Sequence, residues 1–242
     1  MLFLGSCENP SNESSKIEIP KEVNNPFEKS SQLVVVRSSS DTMIIGTLQK
    51  YEKLNGEWKE SAKPHPITLG KTGLAWGSGV HKMKSDYSKK EGDGKSPAGI
   101  FTFGTAFGYA PKKEVDFLKL DYVPLTEITQ CIEDSGSKYY NQIVNDEAIK
   151  SDWNSTDFML RKDDLYKWGV FVNHNTPAKA QNGSCIFFHL WRGPDRYTAG
   201  CTAMTEENIL SLIKWLDPAK NPMLIQVTEK DYKTYQQEYK LP

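Results

Sequence analysis

The sequence predicts a mainly β domain, sandwich- or barrel-like, with one clear helix near its end. Three observations carry this. Short apolar runs at period two begin at Gln32 and recur between turn residues. Six strand-like pieces crowd the first half of the chain. Only residues 205–216 sustain an apolar stripe at helical spacing.

The elements follow in order. Leu33-Val34-Val35-Val36-Arg37 is β-branched and ends in a Ser-Ser-Ser-Asp turn. Residues 42–53 continue as strand, and Asn55-Gly56 marks a tight hairpin into a return strand at Trp58. Residues 67–70 and 72–77 are further short strands, and residues 79–99 form a loop whose Lys run at 82–95 reads as solvated, with a lid over the cleft as the alternative. Strand character returns at 100–104, 122–125 and 129–132. Residues 134–160 lack clean periodicity and read as an irregular excursion, with one short helix expected near 155–161. Residues 168–173 and 184–189 are strands, the second apolar on both faces and therefore central. Thr205 is a good N-cap, Glu206 and Glu207 suit the positive end of the helix dipole, and Pro218 stops the helix. Residues 223–227 are a last strand, and 229–242 a polar tail with helical potential.

Lys and Arg total 30 against 31 Asp and Glu, so no basic footprint for nucleic acid exists. No apolar run after residue 7 is long enough for a membrane-spanning helix. Residues 1–7 end in Leu4-Gly5-Ser6-Cys7, which resembles a bacterial lipobox in which the Cys is lipidated. The usual basic segment and most of the apolar one are missing, so a longer signal is expected upstream. Residues 8–31 are rich in Ser, Asn, Pro, Glu and Lys and read as a flexible tether. The expected organisation is a partial signal at 1–7, a tether at 8–31, a catalytic domain at 32–228 and a tail at 229–242. The expected protein is a monomer in the cell envelope, lipid-anchored through Cys7 and facing the periplasm or wall.

With Cys7 set aside, three cysteines remain, an odd number that leaves one free thiol. Cys131 and Cys185 are either a disulfide or two buried thiols. The chemistry gathers at 188–204, where a buried strand ends in His189, a Gly/Pro loop follows, and Gly200-Cys201 leads toward the helix. A thiol just ahead of a helix N-terminus and near an imidazolium has its pKa lowered to roughly 3.5–7.5. Gly200 leaves room for a substrate backbone, and N–H groups around Cys201 would form an oxyanion hole. A Cys–His pair with such donors is an acyl-transfer site.

His, a loop, then Thr198-Ala199-Gly200-Cys201 resembles the signature of the L,D-transpeptidase (YkuD-type) catalytic domain. Gly92-Asp93-Gly94-Lys95-Ser96-Pro97-Ala98-Gly99-Ile100-Phe101 is similar to the family's upstream Asp-Gly-x-Thr-Pro-x-Gly-x-Phe stretch. The resemblance covers residues 32–228. It implies a β domain with a helix directly after the catalytic Cys, Cys201 as nucleophile, His189 as general base, and Leu190 orienting the ring through its main-chain carbonyl. It implies no cofactor and no metal, and peptidoglycan stem peptides as substrate through a thioester. Thr198 matches the Ser/Thr of the motif. The chain departs from the pattern at Ala199, where a second His is usual, and at Ala203, where Arg or Asn is usual. Eleven residues separate His189 from Cys201, a short gap for the family. Arg192 or Arg196 would supply the polar contact that these changes remove.

Alternatives stand beside this reading. Water in place of an amine acceptor would make the protein an L,D-carboxypeptidase. His174, Cys185, His189 and Cys201 have zinc-ligand chemistry, although their spacing fits no compact finger. A non-catalytic wall-binding lipoprotein is the third. His174 reads as a hydrogen-bonding or surface residue, and His65 and His81 as loop residues. Trp76, Trp153 and Trp168 read as core or interface fillers.

Overall fold

A computed structural model describes residues 25–82 and 88–242. The lipobox with Cys7, the tether up to residue 24, and Lys84 lie outside the described residues.

The strands are β1 (Gln32–Ser38), β2 (Ile45–Leu54), β3 (Glu57–Glu60), β4 (His65–Thr68), β5 (Leu74–Trp76), β6 (Ser96–Gly108), β7 (Tyr122–Pro124), β8 (Gln130–Ile132), β9 (Ile143–Val144), β10 (Thr156–Phe158), β11 (Trp168–Val172), β12 (Phe187–Leu190), β13 (Thr202–Met204) and β14 (Met223–Thr228). The helices are α1 (Glu206–Trp215) and α2 (Glu229–Tyr239). Eleven strands form one sheet whose spine runs β1-β14-β6-β11-β12-β13-β4-β2, and β2 pairs back onto β1. The sheet therefore closes into a barrel-like ring, which removes the free edges of its spine. Strands β9 and β10 of the excursion at 134–160 pair with β8, just ahead of it, as a separate small sheet.

The alternation in β1 shows how the layers form. Val34 and Val36 face the main core with Leu48, Phe101, Phe188 and Leu224, and α1 adds Ile209, Leu212, Ile213 and Leu216 to it. Leu33 and Val35 face the other way, toward Tyr232 and Tyr235 of α2. Period two thus feeds two layers from one strand. The Asn55-Gly56 turn has φ of 52° and 84° and joins β2 to β3, as such a pair favours. Thr205 caps α1 by accepting from the Asn208 N–H.

Several expectations are corrected. Residues 155–161 hold strand β10, not a helix, because their backbone pairs with β8, with Asp157 opposite Cys131. The strand expected from 184 begins at Phe187, because Cys185 sits at φ 54° and breaks the extended run. The helix follows Cys201 only after strand β13. His65 opens β4, and His81 is buried against Trp76 and Phe101. Phe27, within the stretch read as tether, is buried with Tyr239 against it, so the packed domain takes in residues ahead of 32. Residues 229–239 are helical, and their two buried tyrosines dock them on the sheet.

Cys131 and Cys185 are joined by a disulfide with Cα atoms 5.9 Å apart, which ties the small sheet to the start of β12. The bond closes a separation of 54 residues. On the chain-entropy argument its loss costs about 4 kcal/mol. Urea unfolding of a Cys131→Ser, Cys185→Ser protein is expected to show a loss of that order. A midpoint equal to wild type would show that the bond adds nothing.

Candidate active site

Strands β12 and β13 run parallel, with His189 opposite Ala203. Cys201 stands two residues before Ala203, so it shares that face with His189. Both line one cavity of about 290 Å³, whose walls include Glu133, Asp157, Arg161, Tyr166 and Arg192. Ala199 and Ala203 also line it, so the two departures from the family pattern sit in the cavity wall, where their methyl groups present no polar atom. Arg192 and Arg196 border the same space. Arg192 pairs with Asp163 at 2.9 Å, and Arg196 is largely exposed.

His189 Nδ1 lies 2.6 Å from the Leu190 carbonyl oxygen. A carbonyl only accepts, so Nδ1 carries the proton and Nε2 is left as the basic nitrogen. Burial pushes His189 down to about 4, against the upward pull of the Leu190 carbonyl, and the Arg161 and Arg192 charges add to the depression. Burial pushes the Cys201 thiol up to about 12, and the Asp157 and Glu133 carboxylates oppose its ionisation further. The resting pair is therefore neutral thiol and neutral imidazole. The expectation of a thiolate at a helix N-terminus is corrected: β13 separates Cys201 from α1, and the low-dielectric surroundings outweigh the one N–H, from Phe187, that reaches the sulfur at 3.3 Å.

The backbone around Cys201 is held from two sides. Its carbonyl accepts from Thr198 Oγ1 at 2.6 Å and from Ser96 Oγ at 2.9 Å. Thr198 Oγ1 in turn accepts from the Gly200 N–H, so that N–H is not available to an oxyanion. A side chain at Gly200 would meet the Lys95 carbonyl at 3.0 Å, so the residue lets the protein's own loop approach closely. The 92–101 motif thereby gains a role that its pattern did not reveal. Asp93 accepts from the Lys90 and Lys95 N–H groups and from buried Lys89, which shapes the loop and delivers Ser96 to Cys201.

Sequence reasoning missed Glu133, Asp157, Arg161 and Tyr166, since all lie in or beside the aperiodic excursion. Burial raises Glu133 to about 7, helped by the charges of Asp157 and Glu91. Burial also raises Asp157, while the Tyr166 hydroxyl, 2.5 Å away, pulls it back. Of the four residues with zinc-ligand chemistry, Cys185 is in the disulfide. His174 is buried with Nδ1 accepting from the Ser78 N–H and Nε2 donating to the Asn182 carbonyl. That donor set does not fit a metal site.

Two measurements check these electrostatics. The iodoacetamide rate at Cys201 is expected to keep rising into the alkaline range, with no plateau near neutrality. His189→Ala is expected to lower the rate at pH 7 by about tenfold or more; a titration midpoint between 4 and 7 would contradict the neutral pair. The second is stability. Burial pushes both His174 and His189 below their ordinary value, to about 4. The unfolded chain then takes up protons that the folded one excludes, so stability falls as pH drops from about 6.5 through about 4. Glu133 acts oppositely, since its raised value costs stability as pH climbs toward about 7. Urea unfolding of Glu133→Gln is expected to steepen the loss on acidification; a profile flat between pH 6.5 and 4 would contradict the histidine assignment.

The comparisons with known proteins bear on this geometry. A family model described as the L,D-transpeptidase catalytic domain (YkuD) matches residues 34–227. No curated protein matches the chain. Among solved structures, the helical cell shape determining protein Pgp2 from Campylobacter jejuni is similar at 14% identity, with a TM-score of 0.41. The match covers 84% of this chain and 48% of that one, so the chain spans about half the length of Pgp2. On the family match, which takes in the closed sheet, Ser96, His189 and Cys201, the chain belongs to the L,D-transpeptidase catalytic-domain family.

Proposed function

We propose that the protein is a cysteine-dependent acyl-transfer enzyme acting on peptidoglycan stem peptides. The observation that carries the reading is the 2.6 Å contact of His189 Nδ1 with the Leu190 carbonyl, which leaves Nε2 as a base in the cavity that Cys201 lines.

The Cys201 sulfur attacks a donor peptide carbonyl while its proton passes to His189 Nε2, so no free thiolate has to be stored. The C–S bond forms and the carbonyl oxygen takes the electron pair. Collapse of that intermediate breaks the C–N bond, and His189 returns the proton to the departing amine. The resulting thioester is attacked by an amine of a second stem, whose proton returns through His189 as the C–S bond breaks. Amine must outcompete water, which requires it to be held in place.

The cellular setting belongs to the same proposal. The Cys131–Cys185 disulfide supports an oxidising compartment. The lipobox-like Cys7 supports a lipid anchor with the domain facing the periplasm or wall. Membrane association that survives Cys7→Ser would remove the anchor from the proposal.

Cys201→Ala is expected to lower turnover of stem peptides by about 10³-fold or more. Incubation with a carbapenem is expected to add one β-lactam mass to the wild-type protein and none to Cys201→Ala. Retention of a tenth of wild-type rate in Cys201→Ala would sink the assignment, and product analysis would show whether amine or water takes the acyl group.

A further inference from the structure

The base is held by hydrogen bonding at one point only. His189 Nδ1–H donates to the Leu190 carbonyl, and among the described residues no carboxylate hydrogen-bonds the ring. One hydrogen bond along the Nδ1–O line fixes the tautomer and leaves the ring free to rock about that line. Something else must stop the rocking if Nε2 is to keep one direction in the cavity that Cys201 also lines.

Tyr166 occupies that place. Its ring meets the His189 ring with centroids 5.2 Å apart and planes 74° apart, an edge-to-face contact. Tyr166 is itself fixed on several sides. Its hydroxyl donates to Asp157 at 2.5 Å, and the Arg161 guanidinium stands 5.2 Å over its ring. Phe107 and Phe187 pack against it at 5.8 and 5.5 Å with near-perpendicular planes. The segment carrying it is tied to the base as well, since the Leu165 carbonyl accepts from the Leu190 N–H at 3.0 Å. Both carbonyl contacts to residue 190 and the ring contact to residue 189 thus belong to one rigid unit. Asp157 is opposite Cys131 in the small sheet, so the disulfide, the excursion and the base are linked through this one phenol.

We propose that Tyr166 is a positioning residue of the site, holding the orientation of the His189 ring by its aromatic edge-to-face contact while the Leu190 carbonyl holds the tautomer. The proposal rests on the reading of Cys201 and His189 as nucleophile and base. It assigns the work to the ring and leaves the hydroxyl the task of anchoring that ring.

The test compares Tyr166→Phe with Tyr166→Met, reading kcat, KM and the iodoacetamide rate at pH 7. Phe keeps the ring, and both rates are expected to stay within about threefold of wild type. Met fills similar volume without a planar ring. Its kcat is expected to fall about 30-fold or more with KM held within about threefold, as misplacing a base predicts. Its alkylation rate is expected to fall toward that of His189→Ala. Wild-type kcat in the Met protein overturns the proposal, and so does a Phe protein as slow as the Met one. Should Tyr166→Met fail to fold, Tyr166→Leu also removes the ring and is expected to lower kcat and alkylation together at KM within about threefold; wild-type values there overturn it equally. Alkylation needs no peptide, so the two readings fail separately. A wild type that turns over no stem peptide, with alkylation still dependent on the ring, removes the proposed substrate and supports Tyr166. Stem-peptide turnover with alkylation indifferent to the ring does the reverse.

Discussion

The parallel register of β12 and β13 is the constraint on which the site depends. Parallel neighbours cannot be joined by a tight turn, so a crossover of about a dozen residues must leave the sheet and return to it. Residues 191–201 are that crossover, and they carry Arg192, Arg196 and Thr198 over the cavity on the way. Once His189 lies opposite Ala203, strand pleating puts Cys201 on the same face and Leu190 on the opposite one with the core. The single backbone partner of β13 on β4, Ala203 with Thr68, makes this the thinnest part of the ring. The hydroxyls of Thr198 and Ser96 on the Cys201 carbonyl reinforce it there.

Burial sets the chemistry. A solvated thiol beside a helix N-terminus would store its reactivity as a thiolate. Cys201 instead sits among Phe187, Tyr166 and the disulfide, with carboxylates in the cavity wall. Desolvation favours the neutral thiol and the neutral imidazole, so the proposed reaction needs proton transfer to accompany attack. On that proposal, a concerted transfer demands closer aim than an ion pair, and the supports around His189 then matter more than its charge.

The excursion at 134–160 turns a sheet face into a cavity. Strand β10 pairs with β8, the Cys131–Cys185 disulfide ties β8 to the residues ahead of β12, and Glu133 and Asp157 line the cavity that Cys201 also lines. Thr129, Asn141 and Asn145 hold the excursion through side-chain hydrogen bonds where regular structure is sparse. Asn141 donates to the carbonyls of His174 and Asn175 and accepts from the Cys185 N–H, locking the residue ahead of β12.

Much of the fold was legible in the sequence, because period-two runs such as 33–37 and 223–227 bury on both sides of a layer and leave little choice of structure. The hairpin at Asn55-Gly56 and the cap at Thr205 were equally local, each set by the conformational needs of two or three residues. Cys201, His189 and the Leu190 carbonyl stood out through the family motif, and the fold brings all three residues to one cavity. Other features were decided by tertiary contact. A three-residue strand such as β13 has no periodicity to read; only its pairing with β12 makes it a strand, and that pairing moved the helix away from the thiol. Residues 156–158 became β10 because β8 offered a partner. The proton affinities of Cys201 and His189 depend on how much water the fold removes, a sum over neighbours from distant parts of the chain. Tyr166, one aromatic among many in the sequence, acquires its place only when the disulfide brings Asp157 to its hydroxyl.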